Sequence, residues 1–189
     1  DGQEGLGSSR MRALLRSIHE RGHEIGIHPG YNTFRDPQSF SESVVTLRRI
    51  LKEEDIDQSV LGGRQHFLRW EMPTTARQWE DNGLDYDSTL GYADRPGFRC
   101  GTCREYSLYD VVARKVLRLR ERPLIVMDSS LISDRYLGIQ RDEEVADIFS
   151  KYKEKCLNVS GDFTFLWHNS GFGSTDFRNA YGLFLENLQ

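Results

Sequence analysis

Several short apolar runs in this chain end in side chains that bind metals or carry protons. Glu24-Ile25-Gly26-Ile27 leads to His28, the run from Val60 closes on His66 to Arg69, and Leu84-Asp85-Tyr86 reaches Asp87. Leu124-Ile125-Val126-Met127 stops at Asp128, and Phe163-Thr164-Phe165-Leu166-Trp167 stops at His168. An imidazole can ligate a divalent ion or exchange a proton near neutral pH, and a carboxylate can do the same or set the charge of a neighbouring imidazole. In parallel α/β folds the carboxyl ends of strands share one rim, so groups far apart in sequence can meet there. A single Asp or His after a strand also serves as a turn former or cap. It is the recurrence over five runs that points to a site.

The elements that must position these residues follow from periodicity. Met11, Leu14, Leu15 and Ile18 have helical spacing behind the caps Ser8 and Ser9, and Gly22 sits where that helix ends. Asp36-Pro37 reads as N-cap and first helical residue, with Phe40, Val44, Leu47 and Leu51 on one face to about Glu54. Pro73-Thr74-Thr75 opens a shorter helix that Gly83 closes. Residues 88–110, with Gly91, Pro96, Gly97 and Gly101, read as a long ordered loop with a short strand near Phe98. Val116 to Leu119 alternate like a half-exposed strand, whereas 124–127 is continuously apolar like a buried parallel one. Asp142 caps a helix carrying Val145, Ile148, Phe149 and Tyr152, and Ser174 or Thr175 caps a final one. Alternating helices and strands predict an α/β fold with mainly parallel strands, in one domain over residues 1–189.

Composition bounds the partners. With Lys+Arg 25 against Asp+Glu 29 and charges of both signs interspersed, no basic stripe marks the chain for nucleic acid. No apolar run approaches the roughly 20 residues of a membrane span. Three cysteines, Cys100, Cys103 and Cys156, do not make a disulfide framework, which predicts free thiols and a cytoplasmic location. Cys100-Gly101-Thr102-Cys103 has the spacing of half a zinc ribbon or a redox pair, without a second pair or a thioredoxin-like context.

The string Arg21-Gly22-His23-Glu24-Ile25-Gly26-Ile27-His28-Pro29 resembles the second motif of the polysaccharide deacetylase (NodB-homology) family, carbohydrate esterase family four. His28 matches its metal-binding histidine. Gly63-Arg64-Gln65-His66 through Arg69 and Pro73 is similar to the third motif, and Leu166-Trp167-His168 to the fifth, whose histidine is the general acid. The longer strings His23 to Thr33, Arg64 to Pro73, Tyr86 to Asp94 and Gly97 to Cys103 resemble an uncharacterised bacterial branch of the family. The resemblance implies a distorted (β/α) barrel, N-terminally incomplete, holding one divalent ion, usually zinc, and hydrolysing the C–N bond of an N-acetylated sugar in cell-envelope carbohydrate metabolism. Such an ion lowers the pKa of its bound water and polarises the amide carbonyl.

Departures from the family pattern shape the residue assignments. The first motif, which brings the base and ligand aspartates, has no counterpart at Asp1-Gly2, and the second histidine ligand is replaced by Asn32. An amide oxygen is a poor zinc ligand, so His66, Asp87 or Asp128 completes the shell beside His28, or the site binds metal poorly. We therefore assign His28, His66 and Asp87 to the metal, with His66 also readable as a substrate partner or a core histidine. His168 is the expected acid, Asp128 its charge partner in the absence of the fourth motif's Asp-Trp, and Arg69 the site arginine in preference to Arg64. Tyr31, Asn32, Trp70 and Tyr92 are the expected sugar contacts, the aromatic faces stacking on pyranose rings. A catalytically silent carbohydrate-binding module with the same fold is the rival reading.

Overall fold

A computed structural model describes residues 5–173 and 175–186. The chain divides into two compact units, the first running to Ser88 and including Ser107–Glu121, the second made of Thr89–Tyr106 and the chain from Arg122 onward.

In the first unit, α1 (Ser9–Glu20) starts where the Ser8 hydroxyl accepts the Met11 N–H. Helix α2 (Pro37–Glu53) starts where Asp36 accepts the Ser39 N–H, and it buries Phe40, Val44, Leu47, Ile50 and Leu51 along one face. Each such side chain contributes about 1.5–3 kcal/mol relative to exposure. Helix α3 (Thr74–Asp81) lays the buried Trp79 ring against Phe40, with centroids 5.2 Å apart. These helices accompany a sheet made of β1 (Gly62–Gly63), β2 (Tyr86–Asp87), β3 (Tyr106–Asp110) and β4 (Lys115–Glu121), in the order β1-β2-β4-β3. β1 and β2 are parallel, as are β2 and β4, and Gly63, Asp87 and Glu121 share one cross-sheet row.

Glu24 to His28 does not form the expected strand. It makes one isolated parallel bridge, Ile27 to Gly63, with Ile27 N–H on Gly62 O at 2.8 Å and Arg64 N–H on Ile27 O at 2.9 Å. Ile25 and Ile27 still alternate inward. The close approach requires glycine: a Cβ at Gly63 would lie 2.0 Å from Ile27 O, and one at Gly62 would lie 2.3 Å from the Tyr86 ring. Residues 66–69 are not strand either. His66–Leu68 is a 3-10 turn in which Phe67 (φ 57°) and Leu68 (φ 53°) are left-handed.

The β3–β4 hairpin is locked by Asp110, which is buried and accepts the Val112 and Ala113 N–H groups while the Arg77 guanidinium forks onto it at 2.6 and 3.1 Å. That contact, with the two amides, holds the Asp110 carboxyl at about 2. The strand expected near Phe98 is absent, and the loop ends instead at β3. β4 shows the expected alternation, with Leu117 and Leu119 inward.

The second unit pairs β5 (Val126–Met127) with β6 (Phe165–Leu166) in parallel and packs α4 (Asp128–Ile132), α5 (Asp142–Leu157) and α6 (Thr175–Glu186) around an aromatic core. Phe149 touches Phe165, Trp167 and Phe184 at centroid distances of 5.7, 5.1 and 5.0 Å. Arg141, not Asp142, is the N-cap of α5; Asp142 is its first residue, where an acid still favours the helix dipole. The alternative cap Ser174 lies outside the described residues, as does Asp1-Gly2.

The architecture is mixed α/β with parallel pairing in both sheets, and neither sheet closes on itself among the described residues. No described helix is long and apolar enough to cross a membrane.

Candidate functional site

Each unit holds one histidine centre. In the first, the bridge at Ile27 carries His28 to the carboxyl end of the sheet, beside the turn that follows β1. His28 Nδ1 lies 2.9 Å from Arg64 O, and His28 Nε2 lies 3.0 Å from His66 Nδ1. A carbonyl only accepts, so His28 carries its proton on Nδ1, leaving Nε2 as the acceptor for the His66 N–H. A ring held by its far N–H on a carbonyl is the usual preparation of a metal-binding imidazole. His28 also walls a groove of about 660 Å³ with Thr33, Glu42 and Leu47.

At 3.0 Å the two ring nitrogens are hydrogen-bonded, closer than the roughly 3.4 Å that two tetrahedral zinc nitrogens keep, so both could hold one cation only if it replaced the shared proton. Asp87 does not complete a triad with them: it is wholly buried in β2, and no group of three or more His, Cys, Asp or Glu among the described residues could hold a metal ion. Of the three expected donors, the structure brings together the two imidazoles.

Aromatic and cationic groups frame this pair. The Phe67 ring is 73% exposed and stands edge-on to His66 at 4.6 Å and to Tyr31 at 5.4 Å. Tyr31, 52% exposed, is fixed by Arg69, whose guanidinium lies 4.0 Å from both the Tyr31 and Phe34 rings. Arg69 also donates to Tyr31 O (3.0 Å) and Asn32 Oδ1 (3.3 Å). The expected site arginine is thus a clamp on the 31–34 loop, and Asn32 is a point of that clamp. The arginine that faces acids is Arg64. It donates to Ser88 O at 2.6 Å and Ser88 Oγ at 2.9 Å, and burial pushes its guanidinium below the ordinary value against the opposing pull of Asp87 and Glu121.

Trp70 is half-buried, with an indole N–H that has no acceptor among the described residues. Tyr92, half-buried in the second unit, lies under Arg95 at 4.4 Å. Phe67 has strand composition around it, and a strand would bury it; the left-handed turn exposes it instead.

The second centre is built by the β5–β6 pair, which ends in Asp128 and His168. His168 Nδ1 lies 2.6 Å from Asp128 Oδ1, and the His168 backbone N–H reaches Asp128 Oδ2 at 2.8 Å. Ser129 N–H adds a third contact at 2.7 Å. The carboxylate is fully buried while the imidazole side chain is 44% exposed. Such a dyad fixes the ring's orientation and leaves Nε2 as the nitrogen that faces outward for proton exchange.

No protein-family model matches the chain, and no curated protein is significantly similar to it.

Proposed function

We propose that this chain is a polysaccharide-deacetylase-like hydrolase that cleaves the C–N bond of an N-acetylated sugar in cell-envelope carbohydrate metabolism, on a distorted (β/α) barrel. The observation that carries the reading is the His168–Asp128 contact at 2.6 Å, because an exposed imidazole backed by a buried carboxylate is equipped to protonate a leaving amine. His28 and His66 would hold a divalent ion, with zinc suited to imidazole donors. When bound, that ion would supply an activated water and polarise the acetyl carbonyl. Arg64 O keeps the His28 proton on Nδ1, so Nε2 is the nitrogen that would meet the ion in place of the His66 proton. Tyr31 and Phe67 offer apolar faces to a pyranose ring, and Arg69 keeps Tyr31 in place. Three free thiols favour a reducing compartment, the cytoplasm.

The test is acetate release from N-acetylglucosamine oligomers with and without added zinc. We expect turnover that depends on the cation and falls on the order of 10²–10⁴-fold in His168→Ala. A wild-type chain that binds the oligomers yet releases no acetate supports the second reading, a silent carbohydrate-binding module. The observation favouring that reading is that the two imidazoles gain no third His, Cys, Asp or Glu donor among the described residues. Turnover unchanged in both His28→Ala and His168→Ala overturns the assignment of these residues.

A further inference from the structure

The second unit contains a pair of thiols that the proposed hydrolysis does not use. Cys103, from the 89–105 loop, and Cys156, from the last turn of α5, are both buried in the same apolar cluster, on either side of Gly161. The backbone braces them around one point. Gly161 N–H donates to Cys156 O at 2.9 Å and Asp162 N–H donates to Cys103 O at 3.2 Å, while a Cβ at Gly161 would fall 2.3 Å from Cys103 Sγ. Residue 161 is thus kept bare by the sulfur it covers. Burial, and then the contact with Cys103, pushes the Cys156 thiol up to about 12, so it is a poor first nucleophile. Cys103 differs in one respect: it lines a pocket of about 440 Å³ with Thr102, Arg104 and Lys155. Two cations at that pocket, Arg104 and Lys155, suit a small anionic disulfide. Cys100, the nearer partner in sequence, instead donates to Leu90 O at 3.5 Å.

We propose that Cys103 and Cys156 form a thiol–disulfide exchange site, in which Cys103 is the attacking thiol, Cys156 the resolving one, and the oxidant a small anionic disulfide such as glutathione disulfide. The Cys103 thiolate attacks one sulfur of the oxidant and expels the other as a glutathione thiolate. The Cys156 thiol then loses its proton and attacks Cys103 Sγ, expelling the second glutathione. The sum converts two protein thiols and one glutathione disulfide into one protein disulfide and two glutathione thiols. The product ties the 89–105 loop to α5.

The reduced full chain, incubated folded with excess glutathione disulfide, acid-quenched, alkylated and digested, supplies the test. The expected product has lost two hydrogens and yields one cross-linked peptide pair joining Cys103 to Cys156. Because the bond closes a loop of about 50 residues, the oxidised chain should melt roughly 10 °C above the reduced one. Cys156→Ser should retain one glutathione on Cys103, Cys103→Ser should leave Cys156 unmodified, and Cys100→Ser should still form the bond. A wild-type bond that uses Cys100, or thiols that stay reduced while the chain is folded and cross-link only in denaturant, would overturn the proposal.

Discussion

The two histidine centres solve the same problem in opposite ways. In the first unit, His28 is an exposed residue whose ring meets a backbone carbonyl and a second imidazole. In the second, His168 is held by a carboxylate that is itself wholly buried and accepts two backbone N–H groups besides. The first arrangement pairs two imidazoles through their own nitrogens; the second places a carboxylate in the interior to orient one ring. The Asp128 carboxylate, wholly buried, is part of the packing, whereas the imidazole contacts of the first centre are exposed.

That contrast can be broken experimentally, beginning with the largest effect. If the dyad supplies the acid, His168→Ala lowers acetate release on the order of 10²–10⁴-fold while circular dichroism stays native; an equal loss in Asp128→Asn, which removes the charge, would tie the effect to the pair. Asp128→Ala strips the acceptor from the Ser129 and His168 N–H groups, and at about 1–3 kcal/mol per orphaned donor we expect urea melts to show destabilisation of about 2–4 kcal/mol.

Acid separates a third contact from both centres. Asp110 is held at about 2 by Arg77 and the Val112 and Ala113 amides. Because the folded value lies below the unfolded one, this stabilisation is complete above about pH 4 and disappears as pH falls towards about pH 2. Urea midpoints across that window should fall steeply in wild type and less so in Arg77→Gln, and identical slopes would remove Asp110 from the account.

Phe67→Gly sharpens the comparison from the other side. A left-handed phenylalanine costs on the order of 1 kcal/mol that glycine does not pay, so the variant should gain about that much stability while losing affinity for N-acetylglucosamine oligomers by calorimetry. Last, His28→Ala should move stability by no more than about 0.5 kcal/mol, yet zinc affinity should drop at least tenfold. A large stability loss there would make the imidazole pair structural.

Much of the first unit was legible because its signals are local. The Ser8 and Asp36 caps, Pro37, and the Phe40 to Leu51 face are each determined within a few residues. The same holds for the alternation in β4 and the ends of the chain's runs at Asp128 and His168. The segments whose structure differs from their local pattern depend on partners. Glu24 to His28 has strand composition, but only Ile27 finds a ladder contact. His66 to Arg69 has strand composition too, and the backbone turns there through two left-handed residues that no propensity announces. Arg64 and Arg69 are indistinguishable as residue types; one faces buried acids and the other stacks between rings because of what surrounds each.

The amino acids alone determined that helices and short strands alternate, that the strands run mainly in parallel, and which imidazoles and acids follow apolar runs. Those properties arise from periodicity, capping and turn chemistry over a few bonds. Tertiary structure alone decided that Asp87 is sealed in the sheet and that Cys103 and Cys156 share one cluster, and it supplied the contacts for two pairs already expected from the sequence, His28 with His66 and Asp128 with His168. Contacts across 38, 40 or more residues are set by register and packing, which depend on the whole surrounding core rather than on the local order of residues.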